Sequence, residues 1–448
     1  MQSHPLHRQQ ESALKKILKH CANNEYFTEL RLDKLTHLRN FEYLYKAFKQ
    51  TTPIISLSQW CNFYHTTNQN WPEDQHIINQ GRIFLKNVLS KYKISPAQSY
   101  VVFPFLSIDK SPWPPPPATS FWGRNPLQNQ QKLQTEGRSQ FQLLHAFARD
   151  LEENGHKVRA LIGPANVLCQ LSMFIAQKKG RFTPLDQLCP HLEVLIITNM
   201  TRNALHETEI KLWAQDANIT YEHVWLHETG LMAQQEKTGL DQAPMLPWLT
   251  QETLLEFIPA EDVNPDSTPK RQAKRFLAHQ LSPHKYYNLI VTNVAGLAAV
   301  QTPFVFEVLG DTPLKLRYVY QYPLLEAGYT TLADEDIANC IAEINKLTAQ
   351  HGLFVRDFKI SPQPDKSFSI ILEINQNPQD MEKDVLKGHA QRLLSDLINQ
   401  NPKLEPILQS QQVVYVPKGC LAEQTLPSKP AHHQEHPQQV ALTIQLDV

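Results

Sequence analysis

The sequence predicts a two-domain α/β protein: a large N-terminal domain with helix-covered β-sheets, followed by a small α+β C-terminal domain. Three observations lead to this fold class. Apolar strand patterns alternate with amphipathic helix patterns from about residue 140 to residue 294, which is typical of a sheet with helices on its faces. The pattern changes near residues 322–333. Finally, 448 residues are more than a single domain usually contains.

The first hundred residues have mainly helical patterns. Leu14, Ile17, Leu18 and Cys21 follow the i, i+3, i+4, i+7 spacing of an amphipathic helix. A proline-rich run at 112–117 then predicts a stiff connector, because proline cannot donate to a strand ladder and favours extended backbone.

Strand and helix patterns alternate beyond residue 140. The predicted strands are VRALIG (158–163), LEVLIIT (192–198), ITYEHVWLHE (219–228), LLEFIPA (254–260) and YYNLIVTNV (286–294). The predicted helices are QFQLLHAFARDLEEN, ANVLCQLSMFIAQKKG and NALHETEIKLWAQD. The second of these closes with Lys178, Lys179 and Gly180, which is the usual chemistry of a helix C-terminus.

The C-terminal part predicts a compact α+β domain. Ile337, Cys340, Ile341 and Ile344 form one helical face. The strands FVRDFKI and FSIILEIN, a helix near 381–400 and the strand VVYVPKG (413–419) follow. We therefore predict a large domain over residues 1–322, a small domain over 323–420 and a flexible tail over 421–448, with VALTIQL near its end.

Composition gives little reason to expect nucleic acid or a membrane as a partner. The net charge is −1, from 43 Lys and Arg against 44 Asp and Glu. No apolar stretch is long enough to span a bilayer, and the polar N-terminus lacks a signal-peptide pattern. We interpret the basic run Lys270, Arg271, Lys274 and Arg275 as a solvated loop and helix start. Cytoplasmic residence is the resulting expectation.

The six cysteines are scattered, without a CxxC pair or the spacing of a metal site. Several lie on apolar faces, as Cys169 does in ANVLCQLSMFIA. Buried free thiols and a reducing compartment are expected.

Glycine is scarce and widely spaced. There are 14 glycines in 448 residues, about 3%, where roughly 7% is usual. The nearest pair, Gly155 and Gly163, is eight residues apart. Loops that cradle phosphates need clustered glycines, because the backbone must approach the phosphates without a Cβ in the way. A Walker loop, a dinucleotide-binding GxGxxG and a kinase glycine-rich loop are therefore excluded.

Several phrases occur in the order found in one enzyme family. LLEFIPAED (254–262) resembles "FFEFIPxDE", and YYNLIVTNVAGL (286–297) resembles "YELVVTNxAGLYRYRxGD". HETGLMAQQ (227–235) resembles "SEGxxAxQ", and the C-terminal FSIILEIN resembles the small domain of the same family. Over about residues 10–420 the chain thus resembles the Gretchen Hagen three family of acyl acid amido synthetases, relatives of the acyl-CoA synthetases and luciferases.

The resemblance implies a large adenylating-enzyme-like domain that binds ATP and an acyl acid, and a small C-terminal lid domain. Enzymes of this family activate a carboxylate as an acyl-adenylate and pass the acyl group to an amine, usually an amino acid. This chemistry needs donors for the phosphates, Mg²⁺ to neutralise developing charge, and anchors for ribose and adenine. ATP, Mg²⁺ and a small carboxylic acid or amino acid are the implied ligands.

The phosphate loop departs from the family pattern TSGTTxGxxK. Its best counterpart is Thr119-Ser120-Phe121-Trp122-Gly123, with Lys132 downstream. Thr119 and Ser120 match by residue type, and with Lys132 they are the candidate ATP-binding residues. Phe121 and Trp122, however, place two bulky rings where backbone amides face the phosphates in the family.

The adenine segment departs as well. Thr198-Asn199 stands where paired glycines are usual, Val224 where a tyrosine stacks on adenine, and His227 where the family has serine. Glu228 keeps the family's glutamate and is either an Mg²⁺ ligand or an acid that faces water at a strand end. His227 and Glu228 do not pair as acid and base on a strand, because neighbouring side chains point to opposite faces.

The ribose and hinge positions also differ from the family. The resemblance places Phe304 at or near the acidic residue that binds the ribose hydroxyls, and Asp311 is the nearest substitute in a shifted register. Gln321 replaces the hinge arginine, although Arg317 lies four residues earlier. Lys418 resembles the catalytic lysine position of the small domain, or is a solvated surface lysine. The tail residues His432, His433, Glu435 and His436 are either a metal site or part of a polar tail.

Three functional hypotheses follow. The first is a catalytically degenerate relative that survives as a binding or interaction scaffold, because four nucleotide-binding features are lost together. The second is an active ATP-dependent synthetase with a rebuilt site that uses Glu228, Lys132 and Asp311. The third is a protein-interaction role, such as binding a partner synthetase. Fold resemblance alone does not choose among them.

Overall fold

The computed structural model describes residues 5–56, 59–60, 74–102, 140–198, 203–214, 218–227, 229–239, 243–311, 313–327, 330–348, 353–362, 368–408, 412–417, 421 and 442–445. The chain divides into two compact units: Met1–Met200 with Ile210–Val319, and Thr201–Glu209 with Tyr320–Val448. This mixed α/β architecture, with a large and a smaller unit, is the predicted fold class. Across the described residues, no helix combines the length and the apolar character that crossing a membrane requires.

The larger unit contains most of the helices and strands. Its helices, one of which also enters the smaller unit, are Pro5–His20, Glu25–Glu29, Phe41–Thr51, Asp74–Lys91, Gln140–Asn154, Ala165–Lys179, Leu185–Leu188 and Asn203–Trp213. Its strands are β1 (Ile55–Ser56), β2 (Ser99–Val101), β3 (Ala160–Gly163), β4 (Val194–Ile197), β5 (Thr220–Leu226), β6 (Met232–Gln235), β7 (Met245–Pro247), β8 (Thr253–Pro259), β9 (Phe276–Leu277), β10 (Tyr286–Asn293), β11 (Val300–Asp311) and β12 (Leu314–Gln321).

These strands form one sheet in the order β2-β3-β4-β5-β6-β7-β12-β11-β10-β8-β9, with β1 paired to β11. Strands β2 to β5 run parallel, whereas β5 to β7 and β8 to β10 pair antiparallel. All four residues of β4 are at most 1% exposed. Both faces of the parallel part are therefore covered, as the continuous apolar run LEVLIIT predicted.

Two core clusters lie on opposite faces of the parallel strands. Ile162 and Ile196 belong to a cluster with the N-terminal helices, while Leu161 and Leu195 belong to a cluster with the helices at 140–154 and 165–179. Gly180 ends the latter helix at φ +66°, in the left-handed conformation that glycine adopts without a Cβ clash. The predicted helix C-terminus is confirmed.

The smaller unit is an α+β domain. Its helices are Asp334–Thr348, Lys383–Gln400 and Glu405–Leu408. Its strands are β13 (Leu325–Ala327), β14 (Thr330–Leu332), β15 (Val355–Pro362), β16 (Phe368–Ile374), β17 (Gln412–Pro417) and β18 (Leu442–Gln445). Strands β15 to β18 form a four-stranded sheet in chain order. Strand β18 lies within the segment predicted to be a flexible tail and pairs antiparallel with β17.

Two features of the fold differ from the sequence expectations. The segment after residue 299 continues as the twelve-residue strand β11, which no sequence pattern predicted because Pro303 and Gly310 usually interrupt strands. The interpretation of Arg275 as a solvated residue was wrong. Its side chain is 6% exposed and pairs with Glu256, which is fully buried in β8. Lys270, Arg271 and Lys274 are exposed, as expected.

Candidate functional site

The carboxyl ends of parallel strands β3, β4 and β5 meet at one edge of the large sheet. Thr198 follows β4, and its backbone N–H donates to the carbonyl oxygen of Gly163 at 3.1 Å. A Cβ at Gly163 would lie 2.6 Å from the carbonyl oxygen of Val102, so only glycine fits here. In open α/β sheets this edge is where ligands usually bind. We therefore take it as the candidate site.

Two buried oxygen atoms lie on the segments that follow β3 and β4. Thr198 is 2% exposed, and its hydroxyl has no hydrogen-bond partner in the part of the chain that the structure describes. The same holds for Oδ1 of Asn166, in the first turn of the helix Ala165–Lys179. Buried polar atoms without a partner are uncommon in native proteins. Both atoms can therefore form a hydrogen bond with a ligand or a water at this edge.

His227 follows β5 and is held as a neutral imidazole. Burial lowers the pKa of His227 to about 3, so the ring carries no charge at neutral pH. The backbone N–H of Thr229 donates to Nδ1 at 3.3 Å, and the Thr229 hydroxyl lies 2.9 Å from the same nitrogen. Because Nδ1 accepts, the ring proton resides on Nε2. Within the described residues, Nε2–H has no partner and is a hydrogen-bond donor for a ligand.

The turn that presents His227 is fixed from a distant strand. The His227 N–H donates to the carbonyl oxygen of Leu231 at 3.0 Å, which closes the turn. Asn293, at the end of β10, donates from Nδ2 to the carbonyl oxygen of Thr229 at 2.8 Å. Asn293 is 3% exposed and Thr229 is fully buried. The position of His227 is thus set by a buried contact between two strand ends.

The turn after Asn293 is itself buried and strained. Leu297, Ala298 and Ala299 are fully buried. Ala299 has φ +51°, in the left-handed region that disfavours side chains with a Cβ, and its N–H donates to the Thr292 hydroxyl at 2.8 Å. Strain of this kind is often found at functional sites.

Aromatic side chains pack beside the His227 ring. Phe304 is 3% exposed, and its ring centroid lies 4.8 Å from that of His227 and 4.4 Å from that of Trp225, edge to face in both cases. Phe306 and Tyr318 complete the cluster at 6.4 and 6.3 Å from Phe304. Edge-to-face pairs at these distances stabilise a core beyond the area they bury. The Phe304 ring is therefore a packed part of the sheet.

The structure does not describe the side chains of the residues predicted to bind ATP or Mg²⁺ or to act in catalysis. Thr119, Ser120, Lys132, Glu228 and Lys418 lie outside the described residues. The backbone of Asp311 ends β11, but its side chain lies outside the description as well. These assignments stay predictions.

Other positions singled out by the sequence are described. Val224 is fully buried in the core, and Gln321 is half-buried. Arg317 pairs with Glu307. Sequence reasoning missed Asn293 as the anchor of the His227 turn. The only available signal was its place in the phrase VTNVAGL.

Comparison with known proteins supports the fold. No family profile matches the chain, and no curated protein matches it in sequence. Among solved structures, the acyl acid amido synthetase GH3.15 matches with a TM-score of 0.64 at 12% identity, over 94% of this chain and 88% of that chain. AtGH3.15 in complex with 2,4-DB matches with a TM-score of 0.60 at 12% identity, over 93% and 88%.

A 2-hydroxyisobutyryl-CoA ligase, in the postadenylation state with R3-HIB-AMP, matches with a TM-score of 0.59 at 8% identity, over 95% of this chain and 88% of that chain. At such identities the likeness establishes the fold alone. The chain has the fold of adenylate-forming enzymes, with a large domain and a smaller C-terminal domain.

Proposed function

We propose that this protein is a catalytically degenerate relative of the acyl acid amido synthetases, which binds a small carboxylic acid and does not turn over ATP. The packing of Phe304 against Trp225 and His227 carries this proposal. The family resemblance places the acidic ribose anchor at or near Phe304. A phenyl ring lacks the carboxylate oxygens that accept hydrogen bonds from ribose hydroxyls. A ring with two edge-to-face neighbours also does not move aside without a cost.

The residues in place of the ATP anchors fit that ligand poorly. Phe304 offers no acceptor for ribose, and the fully buried Val224 offers no aromatic face for adenine. In the sequence, Phe121 and Trp122 replace small residues of the phosphate loop. These substitutions replace residues that bind the ribose, the adenine and the phosphates in the family, and all three groups belong to ATP. Loss of nucleotide binding therefore explains the substitutions together.

The same edge of the sheet retains groups suited to a carboxylic acid. The Nε2–H of His227 and the hydroxyl of Thr198 are donors without protein partners in the described part of the chain. A neutral imidazole and a hydroxyl bind a carboxyl group through hydrogen bonds. The adenylate-forming neighbours include a complex with the acid 2,4-DB, which is consistent with an acid as ligand.

A combined assay tests this proposal. Calorimetry with a panel of small carboxylic acids should detect binding that His227→Leu weakens at least ~tenfold, about 1.4 kcal/mol. His227→Gln, which keeps an amide donor, should bind more tightly than His227→Leu. The exposed His191→Leu is the matched control and should bind like the wild type.

The same preparation is assayed for pyrophosphate release from ATP in the presence of each acid. No release is expected. Acid-dependent release that Glu228→Ala abolishes, at an unchanged melting temperature, would overturn the proposal and identify an active synthetase. Co-purification of a stoichiometric protein partner, without acid binding, would instead support the interaction role.

The domain boundaries at residues 322 and 420 and cytoplasmic residence remain part of this proposal. Limited proteolysis with mass spectrometry locates the boundaries directly. Cleavage near both residues would support them.

A further inference from the structure

Strand β11 contains a bulge opposite β10, and the bulge lies beside the candidate site. Asn288 of β10 pairs with Val305 of β11. Two residues further along β10, Ile290 pairs with Gln301. One residue of β10 thus faces three residues of β11, 302–304, so that β11 carries two extra residues. Because side chains alternate with a period of two, the residues on either side of this bulge keep their faces of the sheet.

The bulge changes the position of Phe304. Without the two extra residues, Phe304 would lie opposite Tyr287 in the pairing of β10 with β11. In the structure Phe306 holds that place, and Phe304 lies within the bulge. The Phe304 ring packs edge to face on the His227 ring, with the centroids 4.8 Å apart. Bulges are common next to functional sites, where they re-aim a side chain.

Two buried side chains hold the bulge. Asn288 is fully buried, and its Nδ2 donates to the carbonyl oxygens of Thr302 and Phe304 at 2.9 and 3.0 Å. These two residues flank Pro303, which has no N–H to donate. The Thr302 hydroxyl, also buried, donates to the carbonyl oxygen of Leu289 at 3.0 Å. The two side chains therefore satisfy carbonyl groups of residues that have no partner in the pairing of β10 with β11.

The orientation of the Asn288 amide is fixed by its two donated hydrogen bonds. Turning the amide over would place Oδ1 against two carbonyl oxygens, neither of which can donate. In the observed orientation Oδ1 is buried and has no hydrogen-bond partner in the described part of the chain. Such an acceptor destabilises the folded state. The hydrogen bonds that hold the bulge therefore account for an asparagine at this buried position.

We propose that Asn288 and Thr302 are positioning residues for the candidate site. By holding the bulge they keep the Phe304 ring against His227, which restrains the imidazole in the orientation in which its Nε2–H meets a ligand. The effect on binding rests on the acid site proposed above, whereas the effect on the packing of His227 does not.

The test follows the ring protons of His227 by NMR in the full chain with isotope-labelled histidine. Their signals are identified by their absence in His227→Gln. Because the ring current of Phe304 acts on these protons, Asn288→Ala should shift their signals. Thr302→Val keeps the shape of the side chain and removes the hydroxyl, so it should shift them as well. Thr302→Ser keeps the hydroxyl and should leave them near their wild-type positions.

Asn345→Ala is the matched control. Asn345 is buried in the smaller unit and donates from Nδ2 to the carbonyl oxygen of Val355 at 2.7 Å. The variant therefore also loses a buried hydrogen bond to a strand, but it should leave the His227 signals unchanged. With benzoate as the probe in calorimetry, Asn288→Ala should weaken binding at least ~fivefold, and Asn345→Ala should bind like the wild type.

Unchanged His227 signals in both Asn288→Ala and Thr302→Val would overturn the inference. So would equal shifts in Thr302→Val and Thr302→Ser, or the same shift in Asn345→Ala. If Asn288→Ala does not fold, the two Thr302 variants decide the question. Shifted signals without benzoate binding in the wild type would support the positioning role and count against the acid site alone.

Discussion

The side-chain amide of Asn293 donates a hydrogen bond of 2.8 Å to the carbonyl oxygen of Thr229, across 64 residues of sequence. The same side chain accepts from the backbone N–H of Ala295 at 3.0 Å. Asn293 therefore joins the turn that carries His227 to the turn that follows β10. The candidate site depends on this buried contact because both turns end strands of the same sheet.

Asn293→Ala tests the contact. The substitution leaves the carbonyl oxygen of Thr229 without its buried donor, so we expect a loss of about 1–3 kcal/mol in the free energy of unfolding. Urea unfolding followed by circular dichroism measures the loss. Asn264→Ala removes an exposed side-chain hydrogen bond to Thr268 and should cost clearly less. Equal losses in the two variants would contradict the assigned role of Asn293.

Phe304→Ala tests whether the aromatic cluster is a packed core. The ring is 3% exposed between Trp225 and His227. Its removal should cost about 3–5 kcal/mol, as for other buried phenylalanines. Phe182 is 43% exposed, and Phe182→Ala should cost less than about 1 kcal/mol. A small loss for Phe304→Ala would mean that the ring is displaceable, which would weaken the argument against a nucleotide.

Ala299→Gly and Ala298→Gly form a matched pair for backbone strain. Both alanines are fully buried, and of the two only Ala299 has a positive φ. Each substitution removes one buried methyl group and adds freedom to the unfolded chain. Only Ala299→Gly also relieves left-handed strain, roughly 1–2 kcal/mol. Ala299→Gly should therefore be more stable than Ala298→Gly by about 1 kcal/mol in urea unfolding, and the opposite order would exclude strain at Ala299.

His389 predicts an acid sensitivity of the smaller unit. Tyr415 donates from its hydroxyl to the carbonyl oxygen of Leu386 at 3.0 Å and accepts from His389 Nδ1–H at 2.9 Å. Burial, with a contribution from Arg392, lowers the pKa of His389 to about 4. In the unfolded chain His389 has its ordinary pKa of about 6.5 and becomes protonated below that pH, whereas in the folded chain it stays neutral down to about pH 4. Stability should therefore fall between about pH 6.5 and pH 4, by up to about 3 kcal/mol.

His389→Asn keeps an amide donor for Tyr415 and removes the titration. Its stability should fall less steeply with acid than that of the wild type over the same pH range, whereas the exposed His191→Asn should follow the wild type. Identical pH profiles for wild type and His389→Asn would show that His389 is not held neutral.

The elements that local pattern specifies were predicted well from the sequence. The run Val194–Ile197 is apolar at every position because both faces of β4 are covered. The helix Ala165–Lys179 was predicted with its glycine end because the left-handed residue is encoded locally. Strand β11 was not predicted, because Pro303 and Gly310 usually interrupt strands. Its pairing with strands β10 and β1 stabilises a strand that the local sequence does not indicate.

The candidate site was less predictable, since its features depend on distant contacts. In the sequence, Arg275 is one member of a basic run, and nothing nearby indicates a buried partner. Its pairing with the buried Glu256 is visible only in the folded structure. The tautomer of His227 follows from a turn that Asn293 fixes across the sheet. Phe304 was identified from the family resemblance alone, and its packing against Trp225 is a property of the folded sheet.

The most direct test of the proposed loss of nucleotide binding is isothermal calorimetry of ATP with Mg²⁺ against the full chain. Because Phe304 and Val224 replace the ribose and adenine anchors that the resemblance implies, we predict no binding up to millimolar ATP. Saturable, Mg²⁺-dependent binding would contradict the account and would mean that the protein has rebuilt a nucleotide site.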